Sequence, residues 1–212
     1  MPPLRETTPW LLLAGAGALL FLAGVALAPL DEPVGRALVG APGVTLVSGG
    51  LAFLGGVDFL APATIVLCIA LAGFGRPWGA ARAAVVLASA DLASRGVKLL
   101  VARPRPEWAL VEAGGYAFPS GHATDGAALG VLMAWFAIRH LRGRRVAEAL
   151  LAFAVLYAVA MAMSRVIIGV HHLSDVVAGV GLGIVVASLL LAASLPLQAW
   201  VKSRWAARPG SP

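Results

Sequence analysis

Between residues 164 and 175 the chain reads SRVIIGVHHLSD, which sets an arginine, two histidines and an aspartate between apolar stretches. Two further stretches carry related chemistry: KLLVARPRP, from Lys98 to Pro106, and FPSGH, from Phe118 to His122. Together they supply three cations (Lys98, Arg105, Arg165), two or three imidazoles and one carboxylate, with no recognised metal-ligand spacing. A phosphate ester calls for such a set. Its dianion needs several fixed positive donors, and its transfer needs little beyond a nucleophile, a proton donor and charge stabilisation. Arginine meets phosphate oxygens two at a time, whereas lysine acts as a point charge. Ser120 adds a donor. Gly121 lets the backbone come close to a ligand, where the free N–H groups of a starting helix would face an anion.

The third stretch pairs an imidazole with a carboxylate. With Ser174 as the N-cap of a last helix, Asp175 falls in its first turn and His171 just before it, so the carboxylate can accept the imidazole N–H. A histidine oriented in this way is an activated nucleophile or base. His122 is then the general acid for the departing oxygen.

The elements that must carry these residues are transmembrane helices. The chain is 60% hydrophobic and 12% charged, with a mean hydropathy of +0.90, outside the usual range of a soluble domain. Spans of about 20 apolar residues are expected at 10–30, 59–74, 80–102, 123–138, 146–163 and 176–201, the first as a retained helix rather than a cleaved signal. Cys68, the single cysteine, excludes an internal disulfide. The net charge of +6 is read through topology rather than as a nucleic-acid surface. Arg5, Arg76, Arg82, the run RHLRGRR (139–145), Lys202, Arg204 and Arg208 fall on one side, so both termini are expected in the cytoplasm. The loops at 31–58, 103–122 and 164–175 are then expected outside. The 31–58 stretch reads equally as short interfacial helices or as a connecting loop. Lys98, Arg103, Arg105 and Arg165 break the positive-inside pattern, and a cation in the bilayer costs at least about 2.5 kcal/mol, so they mark a ligand or a pathway.

At these residues the sequence resembles the membrane branch of the type 2 phosphatidic acid phosphatase superfamily, related to vanadium haloperoxidases and bacterial acid phosphatases. Lys98 to Pro106, Pro119 to His122 and Ser164 to Asp175 match its three motifs in order and spacing. The resemblance implies an all-α, six-helix bundle forming one domain over 1–212. It also implies that His171 attacks phosphorus and carries a phosphohistidine, Asp175 orients it, and His122 protonates the leaving group and then activates water. Lys98, Arg105 and Arg165, helped by Ser120 and the amide of Gly121, would hold the phosphate oxygens. No metal and no other cofactor is implied.

The expected activity is a metal-independent lipid phosphatase at the outer boundary of a bacterial-type cytoplasmic membrane. The favoured substrate is undecaprenyl diphosphate. Phosphatidylglycerol phosphate, phosphatidic acid and lipid A phosphate stay open as substrates, as do transfer to a second lipid and a non-enzymatic lipid or anion transporter. Oligomeric state is left open. Motif spacing selects His171 over His172, which reads as an interfacial neighbour. Arg103 reads equally as a phosphate contact or a solvated loop charge. Asp91 and Arg95 read as a buried ion pair, with the alternative that this pair, or Asp125, positions the phosphate-binding cations. Gly179 and Gly183 read as close-packing positions.

Overall fold

The computed structural model describes residues 4–40, 48, 50, 53, 54 and 56–206. Among the described residues every regular element is helical: α1 (Leu4–Ala26), a 3-10 turn (Ala28–Leu30), α2 (Asp31–Leu38), α3 (Val57–Gly73), α4 (Pro77–Val101), α5 (Gly121–His140), α6 (Arg144–Ile167) and α7 (Leu173–Ala206). Each expected segment has its helix, with shifted ends. The first begins at Leu4 and stops at Ala26, ahead of the 3-10 turn that contains Pro29. Of the 31–58 stretch, Asp31–Leu38 is helical, and residues 41–47 lie outside the described residues.

Glu6–Ala26, Arg144–Ile167 and Leu173–Val201 are long and apolar enough to cross a membrane, and Phe59–Gly73 is a shorter apolar helix. Helix α4 is long, but Arg82, Asp91, Arg95 and Lys98 interrupt its apolar character. Hydropathy thus reads α4, which carries Lys98, less well than α6 and α7, which carry Arg165 and Asp175.

α7 is the central post. Gly181 lies against the backbone of Phe21 and Gly17 on α1. A Cβ on Gly24 would come 2.5 Å from the Ala178 amide nitrogen. On its other side, Gly183 lies against the carbonyl of Thr124, and a Cβ on Gly179 would stand 2.6 Å from the Ser120 carbonyl oxygen. The close-packing reading of Gly179 and Gly183 is therefore met, and it brings the start of α5 against the first turns of α7. A buried layer of Ala83, Val86, Ala90, Ala128, Val131, Leu132, Trp135, Ala187 and Leu191 joins α4, α5 and α7.

Candidate active site

Four segments meet at one end of the bundle: the C-terminal turn of α4, the N-terminal turn of α5, the end of α6, and the start of α7. Backbone hydrogen bonds lock them together. The Ser120 N–H donates to the Asp175 carbonyl (2.9 Å), Leu110 N–H to Ile168 (3.0 Å), and Ala117 N–H to Arg103 (2.9 Å). Gly169, at φ +73°, packs under Trp108, and a Cβ there would stand 2.8 Å from the Trp108 carbonyl oxygen. This position needs glycine on both conformational and steric grounds.

His171 is 3% exposed and Asp175 fully buried. Nδ1 of His171 lies 3.5 Å from Oδ2 of Asp175, facing it without a formed hydrogen bond. Its other nitrogen, Nε2, stands 3.3 Å from NH1 of Arg105. A guanidinium only donates, so Nε2 presents its lone pair and the proton belongs on Nδ1, toward Asp175. Burial holds the imidazole down to about 3 against the opposing pull of Asp175, while Lys98 and Arg105 push in the same direction as burial.

The cations around Nε2 are held by neutral groups. Arg105 donates to the carbonyls of Gly114 (2.8 Å), Gly115 (3.2 Å) and Val170 (2.8 Å). Lys98 Nζ donates to Tyr116 (2.7 Å) and Ala117 (3.4 Å). Arg165 is buried in the last turn of α6, and its Nε has no hydrogen-bond partner among the described residues. The hydroxyl of Ser120, the residue before α5, is also buried without a partner among the described residues. Gly121 and His122 open α5 and are half-buried. The structure thus gathers Lys98, Arg105, Ser120, Gly121, His122, Arg165, His171 and Asp175 at this end.

Several readings are corrected. α7 starts at Leu173, so His172 rather than Ser174 is the cap. The His172 N–H donates to Asp175 Oδ2 (2.9 Å), one half of a capping box. Arg103 is neither a phosphate contact nor a solvated charge: its NH1 donates to Asp175 (2.8 Å) and Ser174 Oγ (2.6 Å), and its NH2 to Asp31 (2.7 Å). Asp91 and Arg95 do pair at 2.8 Å, but the pair is exposed rather than buried: the four-residue spacing puts both on one face of α4 without deciding whether that face meets the core. His172 packs edge-on against Trp108.

Two residues escaped the sequence reading. Asp31, 4% exposed, accepts from the Ser174 N–H (2.8 Å) and the Ser174 hydroxyl (2.6 Å) as well as from Arg103. No local signal reveals it, since its partners lie far away in sequence. Ser94, 1% exposed, sits one helical turn before Lys98, with its hydroxyl 3.5 Å from where a Cβ on Gly121 would lie. Its Oγ has no partner among the described residues. Its i, i+4 relation to Lys98 was the available clue.

The pattern of the PAP2 superfamily matches residues 79–198, which include every motif residue gathered at this end. The chain belongs to the PAP2 superfamily. It is a membrane-associated lipid phosphatase, a hydrolase that needs no metal. PAP2 relatives include phosphatidylglycerophosphatase B of Bacillus subtilis, 29% identical over 158 residues, covering 73% of this chain and 78% of the relative. Decaprenylphosphoryl-5-phosphoribose phosphatase of Mycobacterium tuberculosis is 33% identical over 164 residues, with 74% and 84% covered. Among solved PAP2 structures, a transmembrane phosphatidylglycerolphosphate phosphatase from Bacillus subtilis superposes with a TM-score of 0.75 and 26% identity, over 92% of this chain and 98% of that one. Aquifex aeolicus LpxE shares the fold, with a TM-score of 0.62 at 22% identity over 76% and 94% of the two chains.

Proposed function

We propose that this PAP2 protein removes a terminal phosphate from a membrane lipid through a phosphohistidine on His171. Nε2 attacks phosphorus, the N–P bond forms and the P–O bond to the lipid breaks, and His122 gives its proton to the departing oxygen. Water then yields a proton to His122 and attacks phosphorus. The N–P bond breaks, and inorganic phosphate leaves. Lys98, Arg105, Arg165, Ser120 and the Gly121 amide hold the phosphate oxygens, and Asp175 keeps the proton on Nδ1. The observation that carries this reading is the approach of Arg105 NH1 to His171 Nε2, with Asp175 on the opposite nitrogen. A phosphate clamped by that guanidinium lies in front of the lone pair.

Six of the helices, all but α2, span the membrane as one domain, with both termini cytoplasmic and the His171 end outward. An apolar cleft of about 190 Å³ lined by Phe59, Leu87, Leu129 and Tyr157 lies farther along the bundle from the site. An outward site favours undecaprenyl diphosphate as substrate. The names of the relatives favour a second reading, a phosphomonoester on a polyol-bearing lipid.

Purified protein given undecaprenyl diphosphate, phosphatidylglycerol phosphate and phosphatidic acid ranks these substrates by kcat/KM. Oxygen-18 water separates hydrolysis, which labels the released phosphate, from transfer to a second lipid. Millimolar vanadate is expected to inhibit as a five-coordinate phosphorus mimic. The His171→Gln variant is expected to lose turnover by about 10⁴-fold or more, and wild-type turnover in that variant would sink the proposal.

A further inference from the structure

Sixteen residues of helix separate Lys98 from Arg82, about 24 Å at 1.5 Å per residue. The antiparallel α5 likewise runs from Gly121 at the site to His140 at the far end. At that far end, cytoplasmic in the orientation proposed above, lies a pocket of about 540 Å³ lined by Arg76, Trp78, Arg82, Trp135, Arg139 and His140, among others. Arg82 is only 6% exposed. It donates to Ser194 Oγ (2.8 Å) and Gln198 Oε1 (2.6 Å), and its guanidinium stacks over Trp135 at 5.0 Å. Arg76 stacks over Phe136 at 5.7 Å. Arg139 faces Glu6 at 3.5 Å, across side chains that are both partly exposed. Among the described residues that line the pocket none is acidic.

Neutral acceptors and the Trp135 ring hold the buried Arg82 in place without cancelling its charge, and a buried charge left unpaired is costly, while the exposed Arg76 lies over the Phe136 ring. A second feature adjoins the first. A groove of about 260 Å³ shares Trp78 and Arg82 with the pocket and is otherwise walled mainly by Val85, Val86, Leu190, Ala193 and Leu197 of α4 and α7. A cationic pocket that adjoins an apolar groove has the polarity of a single phospholipid. A zwitterionic head group would bring an ammonium against three guanidiniums, and a soluble anion would leave the groove empty. Basic pockets between membrane helices suit anionic head groups for this reason.

We propose that this end binds one anionic phospholipid, its phosphate among Arg76, Arg82 and Arg139 and an acyl chain between α4 and α7. The site is independent of the catalytic cations. Full-length protein in detergent is titrated with phosphatidylglycerol, phosphatidylcholine and inorganic phosphate, read by native mass spectrometry and by Tm. Phosphatidylglycerol is expected to bind about ten-fold or more tighter than phosphatidylcholine. The paired change Arg76→Gln with Arg139→Gln, which spares the buried Arg82, should remove that preference, and Lys98→Gln should leave it intact. Ala193→Phe, on an exposed position of α7, tests the groove without touching a charge and should weaken phosphatidylglycerol binding. Equal binding of the two lipids overturns the proposal. So does competition by inorganic phosphate at the affinity of the lipid, which points to a soluble anion, or a loss in Lys98→Gln matching that of the arginine pair, which points to the catalytic end.

Discussion

In front of the Nε2 edge of His171, Lys98 and Arg105 are fixed by backbone carbonyls, whereas behind its Nδ1 edge Arg103 is fixed by the carboxylates of Asp31 and Asp175. All three are cations in the last turn of α4 or the loop that follows it. A carbonyl orients a guanidinium and leaves its charge whole, so the front cations retain full attraction for a phosphate dianion. A carboxylate orients it and cancels the charge, so the rear arginine serves as a strut, with Ser174 hydrogen-bonded into the same cluster. The site thus separates binding from bracing by the chemistry of the acceptors.

The largest effect expected to sharpen this contrast comes from Arg105→Gln set beside Arg103→Gln. Removing a front cation should lower kcat/KM by about 10²- to 10³-fold with little change in Tm. Removing the rear one should cost about 3–5 kcal/mol of stability, because it strands buried carboxylates, with the smaller loss of activity. Steady-state rates and thermal unfolding measured on both variants would show matching losses if the two sides were equivalent.

A double-mutant cycle comes next in size. Asp31→Asn and Arg103→Gln share an ion pair at 2.7 Å and should couple by about 0.5–3 kcal/mol in stability. Asp31→Asn and Arg105→Gln should add to within about 0.5 kcal/mol. Strong coupling in the second cycle would break the division between front and rear.

Acid stability gives a more modest test. His171 is held neutral in the folded protein, down to about 3 from an ordinary 6.5. Below 6.5 the unfolded chain takes up a proton that the folded site refuses. This contribution to stability is therefore whole above 6.5 and is lost as pH falls toward 3, by up to about 1.4 kcal/mol per pH unit. The Tm of His171→Gln should fall less between pH 6 and 4 than that of wild type, and parallel curves would mean the imidazole is not held neutral. The smallest effect is expected from Ser94→Ala. Losing one neutral donor beside Lys98 should raise KM a few-fold and leave Tm nearly unchanged.

Motif residues were legible because their spacing is local or nearly so: Lys98 with Arg105, Ser120 with His122, and Arg165 with His171 and Asp175 each lie within one stretch of chain. Helix positions were legible from apolar runs, and their ends less so. Hydropathy does not register that α7 opens at Leu173 under a cap set by Asp175, or that α1 gives way to a turn at Pro29. Arg103 stayed ambiguous because a charge in a loop has no periodicity to say what it faces. Asp31 went unread because its bonds span 72 and 143 residues of sequence.

The sequence by itself determined the inventory: which groups can attack, donate and neutralise, and which runs of side chain belong in a bilayer. Tertiary structure alone decided which cations keep their charge, since that depends on whether a carbonyl or a carboxylate stands opposite. Those acceptors are delivered by segments the chain brings together only when glycines on α7 let α1 and α5 close onto it.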